Sequence, residues 1–229
     1  MSPWFPARWP AEDPDLIQLY TMNTPDGQQV SLCLEEMGLA YEPHTINILE
    51  NEQFDADYLR LSPNGKIPAL LDPHGPEDES VILMESSIIL QYLADKTGAF
   101  FPRTYRGRLE GQQWLALQAS QIGPMFGEFG HFLLFARDKT SDSAALDRYT
   151  REAHRLLKVL ETRLAGRDFI LEHHSIVDMA ILPWVEALVH VYKAGDALEI
   201  NSLKQVQRWR ARLTERPAWQ RGKEVGRPS

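Results

Sequence analysis

Up to about residue 98 the apolar positions of this 229-residue chain come in short runs broken by turn residues; beyond about Arg106 they recur only at helical spacing. Residues 16–20 (LIQLY) read as a first strand. Pro25 then opens a helix that Gly38 closes, because Pro suits the first helical position and Gly the stop. Val30, Cys33, Leu34 and Met37 recur at helical spacing and form its core face. Residues 41–48 alternate as a second strand, which makes a right-handed β-α-β unit with parallel strands. A short helix is predicted over 54–61. Strands at 67–71 and 81–84 flank the turn-rich Asp72-Pro73-His74-Gly75-Pro76 and form a hairpin. A helix over 85–97 ends at Gly98. Further helices are predicted over 108–135, 144–164, 175–192 and 203–214, an all-helical second domain. Ser175-Ile176-Val177-Asp178 has the S-x-x-D form of a helix start.

The expected fold class is therefore α+β. An N-terminal arm (1–15) leads into a β-α-β-α-β-β-α domain (16–98), a linker (99–105) and an all-α domain (106–229). The arm holds four prolines and two tryptophans, and the tryptophans are expected to pack on a neighbouring surface.

Candidate chemistry concentrates in Leu61-Ser62-Pro63-Asn64-Gly65-Lys66-Ile67-Pro68-Ala69-Leu70 and in Met84-Glu85-Ser86-Ser87. Ile67-Pro68, just before a short strand, is a candidate cis bond. A turn there leaves the backbone N–H and C=O of Ile67 to pair with an extended peptide. At the start of the next helix, the unpaired N–H groups and the Ser86 hydroxyl can hold a carboxylate. The Glu85 carboxylate can hold an ammonium group. An edge for peptide pairing beside a seat for an amino-acid head describes a glutathione site.

With these residues, the chain resembles the glutathione transferase superfamily. Thr24-Pro25-Asp26-Gly27, Glu52-Gln53-Phe54 and the stretch from Pro124 to Phe132 bring it nearest the bacterial nu-class. That class is the disulfide-bond-reductase type related to the yeast nitrogen-regulatory prion protein. The resemblance runs from about Leu16 to Pro217 and implies a thioredoxin-like first domain, glutathione as cofactor and a homodimer.

The resemblance also implies site residues. Thr24 has two readings, a helix N-cap and a hydroxyl that donates to the sulfur of bound glutathione, lowering its thiol pKa together with the helix N-terminus. Asp26 departs from the class, which usually carries Asn there. An ionised Asp can only accept and opposes a neighbouring thiolate; it also suits the first turn of a helix, and either points at the sulfur or away from it. Gln53 matches a glutathione-contacting Gln, against a reading as a solvated loop residue. Lys66 is a candidate partner for the glycine carboxylate or an ordinary surface Lys, and Ile67 contributes backbone only. Arg148 matches an Arg that reaches glutathione from the helical domain, against a solvated helix face. The aromatic stretch around Phe126 and Phe129 is expected to line the second-substrate cleft or the dimer contact, or else to pack in the core. Glu128 stands where Gln is commoner.

Composition narrows the partners. Net charge is −8, with 24 basic against 32 acidic residues, which argues against nucleic acid. No apolar run approaches the length of a membrane span, and the N-terminus lacks a signal-peptide core. The single cysteine, Cys33, excludes an intrachain disulfide framework and lies on the apolar helix face, so it reads as core. The seven histidines show no metal spacing, and no metal is expected. The expected protein is cytoplasmic. It reduces small disulfides or hydroperoxides through a bound glutathione thiolate. Two rivals share the site: a transferase that conjugates glutathione to an electrophilic carbon, and a glutathione-binding regulatory protein with weak catalysis.

Overall fold

A mixed sheet in the order β2-β1-β3-β4 organises the first part of the chain. Its strands are β1 (Ile17–Thr21), β2 (Tyr41–Thr45), β3 (Ala69–Asp72) and β4 (Val81–Met84). The computed structural model describes residues 4–136 and 143–228; the first three residues of the predicted arm lie outside that range. β1 and β2 are parallel, with Leu19 opposite Pro43, whereas β1–β3 and β3–β4 are antiparallel, with Leu70 opposite both Leu19 and Leu83. Pro43 is tolerated because β2 is an edge strand, where one missing N–H breaks no second ladder. Leu19, Leu70 and Leu71 are fully buried at the centre of the sheet.

Helix α1 (Pro25–Met37) joins β1 to β2, and Gly38 ends it at φ 65, a left-handed conformation that glycine adopts without steric cost. Helix α2 (Ala56–Leu61) starts later than predicted because Asp55 caps it, accepting from the Asp57 N–H at 2.9 Å. The predicted second strand also stops short, at Thr45, and the chain continues in two 3-10 turns, Ile48–Glu50 and Glu52–Phe54. Helix α3 (Ser86–Thr97) follows β4 and ends at Gly98, as expected. This is the predicted β-α-β-α-β-β-α order, a thioredoxin-like domain.

The helical part comprises α4 (Tyr105–Leu117), α5 (Gly123–Gly130), α6 (Ala144–Arg163), α7 (Ile176–Glu186) and α8 (Lys204–Thr214). The run predicted over 108–135 is helical, with wide π turns at Gln118–Ile122 and His131–Phe135. The S-x-x-D start is a capping box: Asp178 Oδ2 accepts from the Ser175 N–H at 3.0 Å, and Ser175 Oγ accepts from the Val177 N–H at 3.3 Å. No helix among the described residues is long and apolar enough to cross a membrane.

The contacts draw the domain boundary differently from the expected linker at 99–105. Phe100–Arg216 form one unit, and Pro217–Ser229 group with Met1–Ala99. The last helix, α9 (Pro217–Gly222), packs on α1. Ser31 Oγ donates to the Gly222 carbonyl at 2.8 Å, and a Cβ on Gly222 would come within 2.9 Å of Leu32 backbone. Asn23 N–H donates to the Gly226 carbonyl at 2.8 Å. The reason is close backbone approach between segments far apart in sequence, which no local pattern announces.

Candidate functional site

Strand register gathers the candidates at one end of the sheet. Tyr20, Ala69 and Met84 lie side by side, and Thr21 pairs with Thr45. The segments leaving that end carry Thr24 after β1, the 46–55 loop after β2, Lys66 and Ile67 before β3, and Glu85 and Ser86 after β4.

Thr24 is the N-cap of α1, its Oγ accepting from the Gly27 N–H at 3.3 Å. Accepting uses a lone pair and leaves the hydroxyl proton to be donated. Gly27 must be glycine: a Cβ there would lie 2.1 Å from the Met22 carbonyl oxygen. Asp26 sits in the first turn, where Gln29 Nε2 donates to its Oδ1 at 3.1 Å.

The Lys66–Ile67 peptide is pinned from below. Tyr58 and Ser62 donate their hydroxyls to the Lys66 carbonyl at 2.7 and 2.8 Å. Burial pushes the Tyr58 hydroxyl up, so it stays protonated and donates. In a planar trans peptide the N–H lies opposite the C=O, so this grip aims the Ile67 N–H away from Tyr58. Ile67–Pro68 is cis, as predicted, and the ladder of β3 begins after it, at Ala69. Lys66 itself is exposed and has no ion-pair partner among the described residues.

Glu85 precedes α3 at φ 67, ψ 108, with no side-chain capping bond. A non-glycine residue held in such a region costs about 1–3 kcal/mol, which points to a functional constraint. Its exposed carboxylate makes no ion pair among the described residues. Ser86 opens α3, whose first N–H groups lack helical partners. Gln53 lies in the turn before α2, and its Oε1 is buried without a hydrogen-bond partner. Such a group calls for a ligand or water. The turn abuts Gly65, where a Cβ would meet Phe54 at 2.9 Å and the Gln53 carbonyl at 3.4 Å.

Arg148 sits exposed on α6 of the helical unit, where it helps Arg155 hold Glu152 below the usual carboxylate range. Of the aromatic stretch, Phe126 and Phe129 are core residues. Gly127 and Gly130 leave room for Trp184 and Tyr192, and Phe132 stacks on Tyr149 at 5.4 Å. Cys33 is wholly buried, and burial raises its thiol pKa, so it is a core residue as expected. Two features had no sequence signal: the backbone at Glu85, since Glu is not a turn residue, and the grip of the arm on the Gln53 turn.

The family model for the glutathione S-transferase N-terminal domain matches residues 25–96. The disulfide-bond oxidoreductase YghU of Escherichia coli (strain K12) is 40% identical over 221 residues, covering 92% of this chain and 75% of its own. A glutathione transferase from Pseudomonas putida, solved with one glutathione disulfide per subunit, superposes with a TM-score of 0.93 at 45% identity over 95% of both chains. One from Burkholderia graminis, solved with two glutathione molecules per subunit, gives a TM-score of 0.93 at 46% identity, covering 95% of this chain and 91% of its own. On this similarity, and on the fold and motifs above, the chain belongs to the glutathione S-transferase superfamily.

Proposed function

We propose that this protein is a glutathione-dependent disulfide reductase. Bound glutathione supplies the thiol: two glutathiones are oxidised to glutathione disulfide while the substrate disulfide takes up two electrons and two protons to become two thiols. The residues present fit that molecule. Glu85 takes the ammonium, and Ser86 with the first N–H groups of α3 takes the α-carboxylate. Ile67 pairs its backbone with the cysteinyl peptide. Lys66 meets the glycine carboxylate, and the orphaned Gln53 Oε1 receives a peptide N–H. The Thr24 hydroxyl donates to the sulfur and stabilises its anion. Asp26 is held by Gln29 in its own helix and is not a donor to the sulfur. Arg148 rests on the resemblance, and calorimetry on Arg148→Ala is its test.

The observation that carries this reading is Glu85, an exposed acid held at φ 67 beside a helix start. Calorimetric titration with glutathione and glutathione disulfide tests it. Binding of both at micromolar to low-millimolar concentration is expected, and binding of neither contradicts the assignment. Hydroperoxides and electrophiles are secondary substrates in this reading.

The protein works as a homodimer. Ile82 and Met84 on the edge strand β4, with Ile88 on α3, are 39%, 39% and 49% exposed, an apolar edge that a monomer leaves uncovered. A monomer mass in light scattering at micromolar concentration contradicts this. Dependence on reduced glutathione and a lone buried thiol suit a cytoplasmic setting.

A further inference from the structure

The N-terminal arm reaches the turn that carries Gln53. Its aromatic residues Trp4, Phe5 and Trp9 pack against the cluster that includes Tyr20, Tyr58 and Leu71. Trp9 meets Tyr58 edge-on at 6.3 Å, and the Arg60 guanidinium lies 3.7 Å from the Trp4 ring. The backbone N–H groups of Ala7 and Arg8 both donate to Asp57 Oδ2, at 2.8 and 3.3 Å. So anchored, Arg8 extends its guanidinium to two carboxylates. One nitrogen donates to Glu52 Oε1 at 2.5 Å and another to Asp55 Oδ2 at 2.9 Å.

These two acids stand on either side of Gln53 and shape its turn. The other oxygen of Glu52 accepts from the Asn47 N–H at 2.7 Å, closing the turn at its start. The other oxygen of Asp55 caps α2 through the Asp57 N–H at 2.9 Å, closing it at its end. Both carboxylates lie within hydrogen-bond reach of one guanidinium, so they lie close to each other. Without Arg8, two like charges would repel across Gln53. A lysine keeps the charge but cannot reach both acids as a planar fork does. Meanwhile the Gln53 Oε1 is buried and lacks a protein partner. Its position therefore depends on the turn beneath it.

We propose that Arg8 is a positioning residue for glutathione, holding the Gln53 turn in its binding geometry by bridging Glu52 and Asp55. The arm is thereby a working part of the site. This rests on the reading of Gln53 as a glutathione contact.

The test is a double-mutant cycle read by calorimetry with reduced glutathione, on the wild type, Arg8→Ala, Gln53→Ala and the double variant, with Arg8→Lys alongside. Arg8→Ala should weaken binding about 3- to 10-fold, the size of coupling found between residues of one network. Arg8→Lys should fall between it and the wild type. In the Gln53→Ala background, removing Arg8 should cost less than about a further twofold. In turnover, Arg8→Ala should raise KM for glutathione and leave kcat at saturating glutathione near the wild-type value; a residue needed only for folding would lower kcat in step with the folded fraction. Should Arg8→Ala fail to fold, Arg8→Lys carries the same cycle. The proposal is overturned if Arg8→Ala binds within twofold of wild type, or if Arg8→Lys standing in for it binds indistinguishably from wild type, while Gln53→Ala weakens binding. It is also overturned if the two losses multiply as independent effects. A wild type that binds no glutathione overturns the functional reading itself, and the proposal with it.

Discussion

The Thr24 hydroxyl accepts the N–H of Gly27 at 3.3 Å, so the residue that caps α1 still has its own proton to give. The cap and the proposed donation to sulfur are two uses of one oxygen. Thr24→Ala should lose both, costing about 1 kcal/mol of stability and lowering disulfide turnover. Thr24→Ser should keep both. Melting curves and turnover on the same preparations check this; an alanine variant with full turnover removes Thr24 from the chemistry.

Asp26→Asn should leave turnover unchanged or raise it. A carboxylate near the sulfur opposes its anion, whereas an amide can donate to it, and one pKa unit is about 1.4 kcal/mol. The bond from Gln29 holds Asp26 to its own helix, so the gain should be small. The ultraviolet absorbance of the bound thiolate, titrated in wild type and variant, reads the effect. A higher thiol pKa in Asp26→Asn contradicts this account of the sulfur's surroundings.

Glu85 separates folding from function. Glu85→Gly removes the strain at φ 67 and should hold or raise stability, by up to about 1 kcal/mol. It also removes the charge-assisted hydrogen bond proposed to the glutathione ammonium, about 1.5–3 kcal/mol, so glutathione affinity should fall roughly ten- to hundredfold. Glu85→Ala should lose affinity to the same degree without unfolding the protein. Unchanged affinity in either variant, by calorimetry, rejects the ammonium seat.

Much of this architecture is legible locally. The Pro25 start and the Gly38 stop of α1, the cis Ile67–Pro68 bond and the Ser175–Asp178 cap each depend on residues within a turn of the feature they set. The candidate seat for an amino-acid head rests on Glu85 and Ser86 being neighbours at a helix start, which is also a local feature. What stayed hidden is long-range. Residues after Pro217 return to α1 through backbone contacts of Gly222 and Gly226, and a pair of glycines near a terminus says nothing of where it docks. Arg8 reads as one more surface charge until the arm brings it to Glu52 and Asp55.

Asp178 ties stability to pH. Burial pushes its carboxyl up to about 6, against the donors from Ile170, Trp209 and Ser175 that favour the anion. In the unfolded chain it titrates near 3.9. Between about pH 4 and 6 the folded chain thus holds a proton that the unfolded chain has lost. This contribution lowers stability as pH rises through that window, by up to about 3 kcal/mol, and is level above it. Asp178→Asn sets an amide N–H₂ against hydrogen-bond donors, which should cost about 1–3 kcal/mol, and it cannot titrate. The stability gap between wild type and Asp178→Asn, from denaturant unfolding at pH 4 to 7, should therefore narrow as pH rises to 6. A gap that widens or stays constant contradicts the raised carboxyl.

In the proposed reaction, glutathione held at Thr24, Ile67 and Glu85 reduces disulfides. The most direct measurement compares purified protein on a small organic disulfide, a hydroperoxide and an aryl halide at one saturating glutathione concentration. Turnover should depend on glutathione and be fastest with the disulfide, by more than about tenfold over the aryl halide, a barrier difference of about 1.4 kcal/mol. Faster conjugation of the aryl halide, or glutathione binding with no turnover of any of the three, would contradict it.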